Sequence, residues 1–103
     1  MIRVFCLLVP LLIPYSAFAQ EGNVEAGKAY AQAACAECHA VRAGSLLSPN
    51  VGAPPFEKIA NTPGMTGAAL YVILQSTHRE MPDFIIPAKD KADVVAYILS
   101  LKQ

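Results

Sequence analysis

The sequence lacks the charge pattern of a nucleic-acid-binding protein. Its 103 residues carry 8 Lys and Arg against 8 Asp and Glu, so the formal net charge is zero. No basic run occurs, and aromatic residues do not alternate with Lys or Arg along the chain. Binding to DNA or RNA therefore has no electrostatic support, and we predict no nucleic-acid partner.

The sequence also lacks a hydrophobic run long enough to span a membrane. Its most apolar segment, residues 4–13, is shorter than the roughly 20 residues that a spanning helix needs. Arg3 precedes this run, and Ala17 and Ala19 follow it as small residues at the positions that a signal peptidase reads. This order of features predicts a cleaved signal peptide rather than a membrane anchor.

The predicted signal peptide divides the chain and changes its cysteine count. Residues 1–19 would be removed, and residues 20–103 would form one periplasmic domain without stable membrane insertion. Of the three cysteines, Cys6 leaves with the signal peptide, and Cys35 and Cys38 remain. Two idle thiols do not persist in an oxidising compartment, so we expect this pair to be chemically engaged.

No alternating apolar and polar run is long enough to predict a strand. Four segments instead predict helices between loops rich in proline and glycine, so the expected fold class is all-α. They are Val24–Ala34, a short turn within Pro55–Asn61, Gly67 to about Ser76, and about Ala88–Leu101. Asn23 and Thr66 are the expected N-caps of the first and third helices, whereas the last helix has no capping side chain.

The first and last helices carry features that predict close packing. Gly27 lies inside the first helix, where glycine costs about 1 kcal/mol relative to alanine and usually marks a close approach. The last helix has a buried stripe at helical spacing, formed by Val94, Tyr97, Ile98 and Leu101. So short a domain has a marginal core, and we expect a disulfide, metal or cofactor to stabilise it.

The pentapeptide Cys35-Ala36-Glu37-Cys38-His39 admits four interpretations. A disulfide across two residues closes a very small loop, stabilises little and leaves His39 unexplained. A redox dithiol of the thioredoxin type needs a βαβ context, and a zinc site needs four ligands, of which His78 would have to be the fourth. A c-type haem anchor uses two thioethers and one axial imidazole, and so accounts for both cysteines and His39.

A second iron ligand, opposite His39, has three candidates in the predicted mature chain. Met81 precedes Pro82 in a loop that can cross the second haem face, and is our preferred ligand. Met65 is expected to fill a gap in the core, because methionine is flexible and apolar. His78 is expected to be a loop residue or a neighbour of the haem edge.

These motifs resemble the class I cytochromes c of the small bacterial type. The resemblance covers Gly22 to Lys102 and rests on the pentapeptide, on Met81-Pro82 and on the two terminal helices. It implies N- and C-terminal helices packed across each other around one haem c, attached through two thioethers. In that family a glycine and aromatic residues lie at the helix crossing, where this chain has Gly27, Tyr30 and Tyr97.

The resemblance also assigns roles to individual residues. Cys35 and Cys38 would hold the haem, and His39 and Met81 would ligate its iron. A proline carbonyl would accept the N–H of His39 and so fix the ring and raise its basicity. Pro49 is the preferred match for that proline, and Pro54 is the second candidate.

The function that the resemblance implies is electron transfer, without an enzymatic activity. With two axial ligands no coordination site is open to a substrate, so what remains for the iron is a change of oxidation state. We expect a monomer that meets redox partner proteins transiently. The chain has no tryptophan and no lysine-rich ring, which argues against partners of the mitochondrial type. A permanently bound subunit of a periplasmic dehydrogenase or reductase is the alternative, and a haem ligand-binding or sensor protein is a more distant one.

Overall fold

The fold is that of a computed structural model, which describes residues 22–76, 80–81 and 85–103. Within these ranges the chain forms four helices and no strand, so the predicted all-α class is confirmed. The helices are α1 (Val24–Ala34), α2 (Phe56–Ala60), α3 (Gly67–Gln75) and α4 (Ala88–Ser100). None of the described helices is both long enough and apolar enough to cross a membrane. The predicted signal peptide lies outside the described residues.

The helix starts follow the capping chemistry that the sequence predicted. The side chain of Asn23 accepts a hydrogen bond from the backbone N–H of Ala26, and that of Thr66 accepts one from Ala69. Both bonds satisfy an N–H that has no partner within its helix. Helix α4 begins after Pro87 with no side-chain cap, again as predicted.

Helices α1 and α4 pack directly on each other, and Gly27 lies at their closest approach. A Cβ atom at Gly27 would lie 1.9 Å from the carbonyl oxygen of Asp93 and 2.9 Å from the Cβ of Tyr97. The predicted stripe of α4 is buried, with Val94 fully inaccessible. The predicted packing of the terminal helices is therefore confirmed, and it explains a glycine that otherwise weakens α1.

We expect Gly27→Ala to destabilise the protein, even though alanine favours helix by about 1 kcal/mol. The added methyl group would overlap backbone atoms of α4, which cannot rotate away as a side chain can. Overpacking typically costs about 1–3 kcal/mol, and a clash with backbone belongs at the upper end, about 3 kcal/mol. Subtracting the helix gain of about 1 kcal/mol leaves an expected net loss of about 2 kcal/mol in the free energy of unfolding. Urea denaturation of the purified protein measures this change.

Gly67→Ala is the matched control for this substitution. A Cβ atom at Gly67 would meet only the ends of Leu99 and Val95, at 3.6 and 3.7 Å, which is ordinary contact. We expect its free energy of unfolding to stay within about 1 kcal/mol of the original value. Equal losses in the free energy of unfolding for Gly27→Ala and Gly67→Ala would contradict this explanation of Gly27.

The same crossing contains a buried carboxylate, that of Asp93. Its side chain is only 6% exposed and accepts hydrogen bonds from the backbone N–H of Asn23, at 2.7 Å, and from the Lys89 ammonium, at 2.9 Å. The Asn23 N–H first, and Lys89 second, lower the pKa of the Asp93 carboxyl below its ordinary value. Asp93 thus ties the start of α1 to α4 more strongly when it is ionised.

The Asp93 contact makes stability depend on pH. Because the folded-state pKa is below the unfolded one, the stabilisation is present above about pH 4 and is lost as the pH falls through the folded value. We expect Asp93→Asn, which keeps the side-chain shape, to lower the urea midpoint at pH 7. The two midpoints should converge near pH 2. If the two urea midpoints differed as much at pH 2 as at pH 7, the charge of Asp93 would not contribute to stability.

Candidate functional site

The cysteine and histidine pentapeptide forms a helical turn that continues α1. The N–H of Cys35 donates to the carbonyl of Ala31, and the N–H of His39 donates to the carbonyl of Cys35 at 3.0 Å. Cys35 and His39 are therefore one helical turn apart, with Cys38 between them on the same side. The turn is the local structure that two adjacent attachment points and an axial ligand require.

One cavity of about 360 Å³ brings the predicted site residues together. Cys35, Cys38, His39 and Met81 all line it, although Met81 lies more than forty positions further along the chain. Its remaining wall is mostly apolar and comes from all four helices and two loops. The sequence predicted these four residues as one site, and the tertiary structure places them around one space.

The imidazole of His39 is held by Pro54, not by Pro49. The Nδ1 atom of His39 lies 2.7 Å from the carbonyl oxygen of Pro54. Pro54 lines the cavity, whereas Pro49 does not. The preference for Pro49 as the hydrogen-bond acceptor is therefore wrong, and the second candidate is correct. Proline spacing alone could not decide this, because the loop from Gly44 to Pro55 has no regular periodicity.

The two methionine candidates separate clearly in space. Met81 is half-buried and lines the cavity, whereas Met65 packs against the buried core of the protein. The backbone carbonyl of Met65 accepts a hydrogen bond from the Lys102 ammonium. The other candidate, His78, lies outside the described residues. Met81 is thus the described methionine that is available to the cavity.

The backbone before Met81 is strained. Glu80 has a φ of 69°, in the left-handed region that favours glycine. A non-glycine residue in a sparsely populated conformation costs about 1–3 kcal/mol, and such residues cluster at functional sites. The Glu80 carboxylate also lies 3.0 Å from the position of a Cβ atom on Gly52, so the two loops meet at this side of the cavity.

Among the described residues, few charged side chains line the cavity. Glu37 and Glu80 are the charged side chains in its wall, and both are exposed. Burial raises the pKa of the Cys35 thiol, which keeps it protonated near neutral pH. Cys35 and Cys38 are not joined in a disulfide. Both sulfurs are therefore free to form other bonds.

Two interpretations of the pentapeptide lose support from the structure. Within the described ranges, no group of three or more His, Cys, Asp or Glu side chains could hold a metal ion, which argues against zinc. A dithiol of the thioredoxin type needs parallel strands around a helix, and the described part of the chain has no strand.

The residues at the site fit a c-type haem. An Nδ1–H donated to the Pro54 carbonyl leaves the lone pair of Nε2 on His39 free for a metal. The thioether of Met81 is a neutral ligand in the same cavity, and the thiols of Cys35 and Cys38 provide two covalent attachment points. This combination of donors, in a largely apolar cavity, matches haem chemistry.

Phe56 is a site residue that sequence reasoning missed. Its ring lies against the imidazole of His39, with centroids 5.4 Å apart and an interplanar angle of 54°. It also lies 6.4 Å from the ring of Tyr97 on α4. The sequence offered only a weak signal, an aromatic residue directly after Pro54-Pro55 at the start of a short helix.

The all-α fold with its terminal helices crossed, and the site at the end of α1, define a cytochrome c. A family model described as "Cytochrome C oxidase, cbb3-type, subunit III" matches residues 22–98. The chain belongs to this family, and membership implies a covalently bound haem c.

A relative with the name "Cytochrome c" gives independent support. This protein, from Tetrahymena pyriformis, is 30% identical over an alignment 99 residues long. The alignment covers 79% of this chain and 91% of that protein. No solved structure gives a significant match to the chain. The assignment to the cytochromes c therefore rests on two sequence comparisons that agree with the fold and the site.

Proposed function

We propose that this protein is a class I cytochrome c of the small bacterial type, which carries one electron between redox partner proteins in the periplasm. The observation that carries the proposal is the meeting of Cys35, Cys38, His39 and Met81 around one apolar cavity. Each of the four supplies a group that a six-coordinate c-type haem uses. The family and the fold support the same conclusion.

Each side chain then has a distinct role. The sulfurs of Cys35 and Cys38 would hold a c-type haem through two thioethers, and Nε2 of His39 and the sulfur of Met81 would bind its iron. A bound haem c supplies a reversible one-electron change at its iron, and a His/Met pair raises its reduction potential. The Pro54 carbonyl accepts a hydrogen bond from Nδ1–H, and so holds His39 as the tautomer that can bind a metal.

The apolar wall of the cavity has a second role. Leu70 is 1% exposed, and Val94 and Ile98 are 0% and 2% exposed. These side chains exclude water from one side of the cavity, so that a change of charge inside it reorganises little solvent. A haem whose iron was held by both His39 and Met81, with apolar side chains on one side of the cavity, would favour electron exchange over catalysis on a bound substrate.

Exposed apolar side chains next to the cavity fit a transient partner. Val51 and Ile85 are almost fully exposed, and each adjoins residues that line the cavity, namely Gly52 and Ile86. Small, weak interfaces are typical of redox encounters, and an apolar surface beside the cavity would bring a partner close to the haem. This arrangement supports short-lived docking of partner proteins.

Absorption spectra in both oxidation states, with denaturing mass spectrometry, test the proposal. The full-length gene is expressed with an export pathway that attaches c-type haem. We expect a protein that begins at Gln20, carries the mass of one haem and shows the weak red band of a ferric haem with a sulfur ligand. Recovery of the bare peptide mass from such cells would refute the proposal.

A permanently bound subunit of a larger redox enzyme is the second candidate. The matching family takes its description from an oxidase subunit, and this observation favours the alternative. Native purification from the source cells at moderate salt separates the two. A free carrier elutes at the size of a single small domain, whereas a bound subunit elutes with a larger partner.

A further inference from the structure

The segment that follows Cys38 is held by hydrogen bonds at successive backbone groups. The carbonyl of Cys38 accepts the N–H of Asn50 at 3.1 Å, and the N–H of Ala40 donates to the hydroxyl of Ser48 at 3.0 Å. The carbonyl of Ala40 in turn accepts the N–H of Phe56 at 2.9 Å. The backbone on either side of His39 is therefore fixed by the loop and by the start of α2.

Helix α4 completes this arrangement through Tyr97. The hydroxyl of Tyr97 donates to the carbonyl of Val41, two residues after His39, and this bond is buried. The ring of Tyr97 lies 6.4 Å from the ring of Phe56 at an interplanar angle of 53°. Tyr97 therefore contacts both the segment that carries His39 and the aromatic ring that lies against it.

The hydrogen bond to Pro54 cannot by itself orient the imidazole of His39. A single N–H···O bond fixes the position of one ring atom but permits rotation of the ring plane about the bond. The Phe56 ring, 5.4 Å from the imidazole and tilted by 54°, removes that freedom on one side. Phe56 is only 4% exposed, so it cannot move aside without opening the core.

We propose that Phe56 is a positioning residue that sets the plane of the His39 imidazole, and that Tyr97 braces Phe56 for this purpose. The inference rests on the proposed function, because the plane of the ring matters only if His39 binds the iron. The Pro54 carbonyl selects the tautomer of His39, and Phe56 restricts rotation of the imidazole plane about the hydrogen bond to Pro54. Together they preorganise the axial ligand before a metal binds it.

Proton NMR of the ferric, haem-loaded protein tests this proposal. In low-spin ferric haem the spread of the haem-methyl resonances depends on the orientation of the axial imidazole plane. We expect Phe56→Leu, which removes the ring but keeps an apolar side chain, to change the order or spread of these resonances. We expect Tyr97→Phe, which keeps the ring but loses the hydroxyl, to cause a smaller change in the same direction.

Ile59→Leu is the matched control. Ile59 lies on α2 like Phe56 and lines the same cavity, but it has no ring to orient the imidazole. We expect its methyl pattern to change less than that of Phe56→Leu, and we expect Phe56→Tyr, which keeps an aromatic ring, to retain the original pattern. If Phe56→Leu changes the resonances no more than Ile59→Leu does, the proposal is overturned.

The outcomes separate this inference from the proposed function. If the unsubstituted protein carries no covalent haem, the proposed function is refuted, whatever the variants show. A haem-loaded original protein whose pattern survives loss of the Phe56 ring refutes only the positioning role. Should Phe56→Leu fail to fold, Tyr97→Phe decides alone: an unchanged methyl pattern there overturns the proposal, and a shifted pattern supports it.

Discussion

Met81→Ala is expected to remove one of the two proposed iron ligands and to leave that side of the cavity open. The low-spin spectrum of the ferric protein should be lost, and the reduced protein should bind carbon monoxide at neutral pH. The reduction potential should fall well below the original value, because axial ligands set haem potentials over a range of about 0.8 V. Absorption spectroscopy and a redox titration measure these changes.

Met65→Ala is the control for this prediction, since it makes the same chemical change elsewhere. Met65 packs against the core and does not line the cavity, so its loss should reduce stability but leave the spectrum unchanged. Truncation of a buried methionine costs about 2–5 kcal/mol, and a half-buried one should lie at the lower end. A spectrum that changes in Met65→Ala but survives Met81→Ala would show that the wrong methionine had been chosen.

Cys35→Ala combined with Cys38→Ala is expected to leave a largely unfolded chain without covalent haem. Among the described residues, the only large side chains with less than 2% exposure are those of Leu70 and Val94. The apolar walls of the cavity have too few partners in the chain itself, so a domain of this size depends on its cofactor for a core. Far-ultraviolet circular dichroism measures the loss of helix.

The original chain, expressed without the machinery that attaches c-type haem, is the control. It keeps both cysteines but lacks the two thioethers, so it should unfold to the same extent as the double variant. If the double variant remained as helical and as resistant to urea as the haem-loaded protein, the cavity would not be the missing part of the core.

The local features of the fold were predictable because they depend on near neighbours in the chain. The Asn23 and Thr66 caps, the starts of α1 and α4, and the buried stripe around Tyr97 all follow from short-range capping and periodicity. The Cys35–His39 pentapeptide was equally readable, because one helical turn contains all its reactive groups. The signal peptide and the ligation of iron by His39 and Met81 stay predictions.

The choice among distant partners required the tertiary structure. The resemblance favoured Pro49 over Pro54, whereas the path of an irregular loop places the Pro54 carbonyl 2.7 Å from His39. The contact between Phe56 and His39 likewise has no periodic signal, since it joins the start of α2 to the end of the turn after α1.

The sequence by itself determined the helices and the attachment motif, because each depends on residue type at short spacing. The tertiary structure alone decided which carbonyl holds the imidazole, which ring lies against it and which methionine reaches the cavity. These choices depend on the path of the loops around the cavity. Contacts between residues far apart in the chain leave no regular pattern in the sequence.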